Sequence, residues 1–244
     1  MVGRSVMFKL RVYLETSGGE LFEYSGLLTK LIAEEIASNI LHVSPLYSID
    51  GKTIYPKVMV DCSFCKVEAP KSLLPVKLPE KGYFEMTVLN FPKTITSEVK
   101  VILGNKVYEI RIEGVEEIIT DVGYGSKLII KFNGPVIIKK GKAPFNLRFL
   151  PLPSYLFSPY VSNPKALLKL DEIFVEDHSI LHSVGKVWYL YRGKWRPGLT
   201  GVALFHVVEE LPGWVLEILR KGALLGVGFR RREGFGNVTL ELFD

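Results

Sequence analysis

Apolar and polar residues alternate near the start of the chain and predict a strand. Over residues 6–15, one face of the segment is apolar and consists of Phe8, Leu10, Val12 and Leu14. The opposite face carries Lys9, Arg11 and Tyr13. An apolar period of two residues is that of a half-buried strand.

The next apolar residues recur at helical spacing. They are Leu28, Leu31, Ile32 and Ile36. A spacing of three and four residues indicates an amphipathic helix. Ser25 is the residue expected to cap its start, and Lys30 and Glu34 lie on its polar side.

The same periodicities, together with turn residues, predict the remaining elements. Strands are predicted over residues 40–48, 53–64, 83–89, 99–103, 108–114, 127–132, 186–191, 198–208 and 237–243. Pro159 and Pro164 interrupt a predicted helix over residues 153–170. A last helix covers residues 212–225, and residues 69–81, with three prolines, are predicted to be a loop.

The order of these elements predicts an α+β fold of two tandem ferredoxin-like domains. The second half of the chain follows the order β-α-β-β-α-β, the split βαβ arrangement. The first half follows β-α-β-β with additional strands and a second helix that is hard to locate. The Asp-Val-Gly-Tyr-Gly segment at residues 121–125 marks the boundary. We therefore predict domains over residues 1–122 and 123–244.

Composition and charge allow binding to nucleic acid without requiring it. The 244 residues are 48% hydrophobic and carry a formal net charge of +5, a modest basic excess. No segment approaches the roughly 18 consecutive apolar residues of a membrane span. Residues 1–5 lead into a strand rather than a signal peptide, so we expect a cytoplasmic protein without membrane contact.

Cysteines and histidines give little support for a metal or a cofactor. Cys62 and Cys65 form one Cys-Ser-Phe-Cys segment without a second pair, whereas a structural zinc site needs about four ligands. We interpret them as structural thiols, with a local disulfide or a redox role as alternatives. His178 and His182 have the spacing of metal ligands but too few companions. We predict no metal and no cofactor.

The segment Gly-Val-Gly-Phe-Arg-Arg-Arg-Glu-Gly-Phe-Gly, residues 226–236, is the strongest candidate for chemistry. Its glycines permit positive φ and close backbone approach, and free N–H groups near a helix end can hold phosphate. Three arginines add planar donors that match phosphate oxygens. A polyanion-binding surface is one interpretation, and a solvated glycine-rich turn is the other. The predicted binding residues are Gly226, Gly228, Arg230, Arg231, Arg232, Gly234 and Gly236.

This segment resembles the glycine-rich signature of the RAMP superfamily of CRISPR systems. The order hydrophobic-Gly-x-Gly, basic linker, Gly-Phe-Gly is similar to that of the endoribonucleases that cut CRISPR repeat transcripts. Residues 198–201 (Gly-Leu-Thr-Gly) and 43–46 (Val-Ser-Pro-Leu) resemble further elements of the family. The resemblance extends over the whole chain as two ferredoxin-like domains.

The resemblance implies metal-independent cleavage within a repeat RNA. In that chemistry the 2′-hydroxyl attacks the adjacent phosphate and leaves a 2′,3′-cyclic phosphate and a 5′-hydroxyl. CRISPR repeat RNA and mature crRNA are the implied partners. Other CRISPR effector subunits and a second copy of this chain are further candidates. A non-catalytic RAMP subunit that holds guide RNA is the alternative function.

The resemblance also implies where the catalytic groups lie. Many members of the family place a histidine, a tyrosine and a lysine in or after the first helix, which corresponds here to His42, Tyr47 and Lys52. Other members use lysines of that helix with an arginine of the glycine-rich loop, which corresponds to Lys30 and Arg231. The choice of general base among these groups stays open.

A basic and aromatic hairpin is the other predicted RNA contact. Its cations Arg192, Lys194 and Arg196 alternate with Tyr189, Tyr191 and Trp195. The family resemblance implies that such a hairpin of the second domain enters RNA. An exposed hairpin without a ligand is the alternative.

Overall fold

The structure is a computed structural model that describes residues 6–61, 69–139, 147–179 and 181–244. It divides into two compact units. Unit 1 consists of Met1–Ile118, Trp188–Pro197 and Arg232–Gly234, and unit 2 of Ile119–Val187, Gly198–Arg231 and Phe235–Asp244. The sequence predicted two contiguous domains. The structure instead assigns the outer part of one hairpin and three residues of the glycine-rich loop to unit 1. Cys62 and Cys65 lie outside the described residues.

Unit 1 is built on one antiparallel sheet and one helix. Its elements are β1 (Phe8–Thr16), β2 (Glu20–Leu21), α1 (Ser25–Ile36), β3 (Ile40–Val43), β4 (Tyr47–Ser48), β5 (Lys57–Asp61), β6 (Ala69–Leu74), β7 (Val76–Lys77), β8 (Lys81–Val88), β9 (Glu98–Leu103) and β10 (Lys106–Glu117). The sheet order is β3-β8-β1-β10-β9, and β4 also pairs with β8. β1 and β8 are therefore the central strands of the ferredoxin-like order.

The apolar pattern of the sequence explains the core of unit 1. Leu10 and Val12 are fully buried and Leu14 is 1% exposed, which confirms the predicted apolar face of β1. Lys9 on the opposite face is also buried and forms an ion pair with Glu85 at 3.3 Å. The buried face of α1, including Leu28 and Ile32, packs into the same core. α1 therefore packs on one face of the sheet. The side chains in this contact are the apolar residues that the strand and helix periodicities predict to be buried.

Three local predictions for unit 1 were wrong. Ser25 is not the N-cap, because Tyr24 precedes the first helical residue and the Ser25 hydroxyl accepts the N–H of Leu46 at 3.2 Å. The predicted loop at residues 69–81 contains β6 and β7, which pair with β5 and β2. The second helix of the motif is absent from residues 89–105, where β9 forms a hairpin with β10.

Unit 2 repeats the motif. Its elements are β11 (Lys127–Val136), β12 (Ile138–Lys139), β13 (Leu147–Arg148), α2 (Pro153–Leu156), a 3-10 helix (Ser158–Tyr160), α3 (Pro164–Ile173), β14 (Phe174–Glu176), β15 (Gly185–Tyr191), β16 (Lys194–Val207), α4 (Gly213–Leu225), a 3-10 helix (Arg231–Glu233) and β17 (Val238–Phe243). β15 and β16 continue into the hairpin tip that belongs to unit 1. The sheet order β14-β16-β11-β17 is again ferredoxin-like.

The helices of unit 2 begin and end where proline and glycine require. Pro159 and Pro164 divide residues 153–173 into α2, a 3-10 helix and α3, as the sequence predicted. Asn163 caps α3 by accepting the N–H of Lys165 at 2.9 Å. α4 follows Pro212 and ends at Gly226, whose φ is 75°. Together the two units confirm the predicted α+β class with tandem ferredoxin-like sheets. Among the described helices, none combines the length and the hydropathy needed to span a bilayer.

Candidate nucleic-acid interface

The glycines of the glycine-rich loop face protein. Gly226, Gly228, Gly234 and Gly236 are buried and all have positive φ. A Cβ on Gly236 would lie 2.1 Å from the carbonyl oxygen of Val227, so a side chain has no room there. Glycine is therefore required at this position by close backbone packing.

The backbone donors of this loop are also committed to protein. The N–H of Gly228 donates to the carbonyl of Leu156 at 2.8 Å, and the N–H of Gly236 donates to the carbonyl of Pro135 at 3.0 Å. We expected these glycines to cradle phosphate. The structure corrects that expectation for Gly228 and Gly236, because their N–H groups have carbonyl partners.

The end of the loop packs on the first turn of α1. A Cβ on Gly234 would lie 2.2 Å from the Cα of Gly26, and a Cβ on Gly26 would lie 2.7 Å from the Cα of Gly234. The Tyr24 hydroxyl donates to the carbonyl of Gly234 at 2.6 Å. Two glycines and one buried tyrosine therefore fix residues 232–234 against the helix.

This packing creates a groove with cations from both elements. Its lining residues are Lys30, Glu34, Ala37, Ser38, Ile40, Arg232 and Glu233. Lys30 Nζ is 3.4 Å from Glu34 Oε1, and the Lys30 side chain is 21% exposed. Arg232 is exposed. The groove therefore combines two cations that can stabilise a phosphate with carboxylates that can accept a proton.

The predicted histidine and tyrosine are not on the surface. His42 lies in β3 opposite Thr87 of β8 and is 0% exposed, and Tyr47 is 3% exposed. Both side chains pack inside unit 1, so neither can contact an RNA phosphate in this structure. The trio of His42, Tyr47 and Lys52 is therefore not assembled as an accessible site.

Lys52 is accessible but already paired. Its Nζ lies 2.6 Å from Asp50 Oδ2, and both side chains are largely exposed. The hydrogen bonds from Lys52 and then Ser48 lower the pKa of Asp50 to about 2. The same contact raises the pKa of Lys52, so Lys52 is a cation rather than a base at neutral pH.

The other loop arginines have defined local environments. Arg231 lies in the second 3-10 helix, donates from Nη1 to the Tyr160 hydroxyl, and places its guanidinium 4.6 Å from the centre of that ring. Arg230 has a φ of 60°. Positive φ is costly for a residue with a Cβ and often marks a functional position.

Hydrogen bonds join the tip of the basic hairpin to Glu23, which lies just before α1. The Glu23 carboxylate accepts the N–H groups of Arg192 at 2.7 Å and Gly193 at 3.0 Å. Tyr189 is fully buried and its ring lies 5.2 Å from that of Tyr24. Tyr189 and Tyr191 are therefore core residues, whereas Trp195 is half-buried.

Those hairpin cations differ in exposure. Arg192, with a φ of 51°, and Lys194 are exposed. Arg196 is half-buried, and its Nε is buried without a hydrogen-bond partner in the part of the chain that the structure describes. Arg192 and Lys194 are thus the accessible predicted contacts of this hairpin.

The sequence did not identify Glu23, Tyr24 or Tyr160 as parts of the site. Each acts through backbone groups or through an arginine that is distant in sequence. No local pattern marks such contacts. The unexpected Tyr24 at the N-cap position is the nearest signal, because it occupies a place where a shorter polar side chain is usual.

His206 and His182 contact other protein groups. His206 Nε2 lies 2.9 Å from Asp177 Oδ2, and the His182 Nδ1 accepts the N–H of Leu204 at 3.3 Å. In the described ranges, no group of three or more His, Cys, Asp or Glu side chains is arranged to hold a metal ion.

The contact between α1 and the loop predicts a specific sensitivity to substitution. Gly234→Ala should destabilise unit 1 by about 2 kcal/mol or more, because a methyl group meets positive φ and the Gly26 backbone together. Gly104→Ala is the matched control, since Gly104 also has positive φ but open space at its Cβ. Thermal unfolding measures both. Equal destabilisation of the two variants would contradict the importance of the contact.

Comparison with known proteins places the fold. No protein-family model matches the sequence, and no curated protein matches it. Among solved structures, a Cas6-related protein from Pyrococcus furiosus superposes with a TM-score of 0.58 at 11% identity, covering 96% of this chain and 98% of its own. A Cas6 product complex gives a TM-score of 0.55 at 14% identity, covering 96% and 99%.

A third solved structure, of a RAMP protein, has a similar fold. A RAMP protein described as binding different RNA substrates gives a TM-score of 0.54 at 14% identity and covers 96% of this chain and 99% of its own. The match includes both ferredoxin-like units in all three cases. The chain therefore has the fold of Cas6 and related RAMP proteins over nearly its whole length.

Proposed function

We propose that the protein is an endoribonuclease that processes CRISPR repeat RNA. The observation that carries this proposal is the groove in which Lys30 of α1 meets Arg232 of the glycine-rich loop. In this chain, α1 and the glycine-rich loop each contribute one cation to the same groove. This supports the lysine and arginine arrangement over the trio in which His42 and Tyr47 are buried.

RNA is the proposed partner because of charge and of the related folds. The chain carries a net charge of +5, and the structural neighbours include proteins bound to RNA substrates or products. The exposed cations Arg192 and Lys194 of the hairpin are further candidate contacts for phosphate. These groups would bind the ribose-phosphate chain without reading its bases.

The proposed reaction needs no group beyond the RNA and the side chains of the groove. The 2′-oxygen attacks the adjacent phosphorus, and its proton passes to a carboxylate of the groove such as Glu34. The bond from phosphorus to the 5′-oxygen breaks, and that oxygen takes a proton from Lys30. Arg232 stabilises the negative charge of the phosphorane. The products are a 2′,3′-cyclic phosphate and a 5′-hydroxyl.

A guide-binding subunit without catalysis is the second candidate. The burial of His42 favours it, because the histidine that many Cas6 enzymes are expected to use cannot reach RNA here. In that role the same basic groove would retain crRNA. Other CRISPR effector subunits or a second copy of the chain would be the protein partners.

Cleavage of cognate RNA decides between the two candidates. The purified protein should cut a single-stranded RNA that carries the CRISPR repeat of its own genome, in the presence of EDTA, at one position. The upstream product should end in a cyclic phosphate. An RNA with a 2′-deoxyribose at the cut position should bind with the same affinity and remain intact, because it lacks the nucleophile.

Two results would contradict the proposal. Binding of repeat RNA without cleavage would assign the protein to the guide-binding role. Normal cleavage of the 2′-deoxy RNA would exclude attack by the 2′-oxygen.

Substitutions in the groove test the assignment of residues. Lys30→Ala and Arg232→Ala should each slow single-turnover cleavage by about 10²-fold, because the first removes the general acid and the second removes a donor to the developing negative charge. Lys221→Ala is the matched control for Lys30, since Lys221 also forms an i,i+4 ion pair, with Glu217. Arg220→Ala on α4 is the control for Arg232.

The cleavage rate and the melting temperature are measured separately for these four variants. The control variants should cleave at the wild-type rate, and all four should keep the wild-type melting temperature within a few degrees. Wild-type cleavage by both Lys30→Ala and Arg232→Ala would remove the groove from the mechanism.

A further inference from the structure

Tyr160 occupies a position that the proposed reaction does not yet use. It ends the 3-10 helix Ser158–Tyr160, which follows α2 directly. Its hydroxyl donates to the carbonyl of Gly226, the residue at which α4 ends and the glycine-rich loop begins. The same oxygen accepts a hydrogen bond from Arg231 Nη1. One side chain therefore contacts both the start of the loop and Arg231.

The directions of these two hydrogen bonds are fixed by the chemistry of the groups. A carbonyl can only accept, so the single phenolic proton points to Gly226. A guanidinium can only donate, so Arg231 must use a lone pair of the phenolic oxygen. The ring lies 4.6 Å from the guanidinium carbon, which adds a cation–π contact. Arg231 is thus held by the hydroxyl and by the ring.

Burial keeps this arrangement constant over a wide range of pH. Burial raises the pKa of Tyr160 to about 12, although Arg231 acts in the opposite direction. The phenol therefore keeps its proton, and the bond to Gly226, throughout the neutral and mildly alkaline range. The orientation of Arg231 should not change in that range.

We propose that Tyr160 is a positioning residue that holds Arg231 in a fixed orientation for binding an RNA phosphate. This inference rests on the proposed function. A guanidinium has five N–H donors, so the bond to Tyr160 leaves others for phosphate oxygens. A free arginine would have to be ordered when the reaction occurs, whereas one held in place is already oriented. The hydroxyl of Tyr160, rather than its ring alone, is the group that fixes this orientation.

A double-mutant cycle tests the proposal. Tyr160→Phe keeps the ring and removes the hydroxyl, and it should slow single-turnover cleavage of repeat RNA about 10-fold. Arg231→Ala should slow cleavage by at least as much. The double variant should be no slower than Arg231→Ala alone, because Tyr160 acts through that arginine. RNA affinity at equilibrium should change less than the cleavage rate.

A second tyrosine controls for the loss of a hydroxyl. Tyr155→Phe in α2, whose hydroxyl has no hydrogen bond to the loop, should cleave at the wild-type rate. Melting temperatures of all variants separate a folding defect from a positioning defect. Additive losses in the double variant, or normal cleavage by Tyr160→Phe, would overturn the inference.

The wild-type result separates this inference from the proposed function. If the wild-type protein binds repeat RNA without cutting it, the nuclease proposal fails. The same cycle is then read in dissociation constants. Non-additive losses of affinity would retain Tyr160 as the residue that orients Arg231, and additive losses would overturn that role. If Lys30→Ala slows cleavage as predicted while Arg231→Ala cleaves at the wild-type rate, the inference fails and the proposed function stands.

Discussion

The contact between Gly26 and Gly234 is the constraint on which the candidate site depends. Neither residue can carry a side chain, because each would place its Cβ within 2.7 Å of backbone atoms of the other. Only this approach lets Arg232 and Lys30 line one groove. The hydrogen bond from the Tyr24 hydroxyl to the Gly234 carbonyl also holds the loop against α1. The glycine-rich loop therefore owes its composition here to packing, and its arginines supply the charge.

The sequence predicted most of the fold because the fold follows from periodicity. Apolar residues alternate in β1 and recur at helical spacing in α1. The structure buries most of these residues, which confirms both predicted elements. Proline and glycine located the ends of α2, α3 and α4. The prediction failed at residues 69–81, where prolines suggested a loop although β6 and β7 lie at sheet edges that tolerate proline.

The candidate site was harder to predict because its contacts are distant in sequence. Lys30 and the loop arginines are visible as cations on a helix and beside glycines, so their types could be recognised. His42 and Tyr47 also had suitable types, but β3 and β4 turn them into the interior. Glu23, Tyr24 and Tyr160 act on backbone carbonyls and N–H groups, which carry no sequence signal. Sequence identifies the reactive groups, and the strand register and loop packing decide which of them meet.

A structure with bound RNA would show whether Lys30 and Arg232 contact the phosphate at the cut position. The protein would be crystallised with cognate repeat RNA that carries a 2′-deoxyribose at the cut position, so that the uncut strand remains bound. We expect the phosphate at that position to lie within hydrogen-bond distance of Lys30 Nζ and the Arg232 guanidinium. A phosphate bound elsewhere, with the groove between α1 and residues 232–234 unoccupied by RNA, would contradict it.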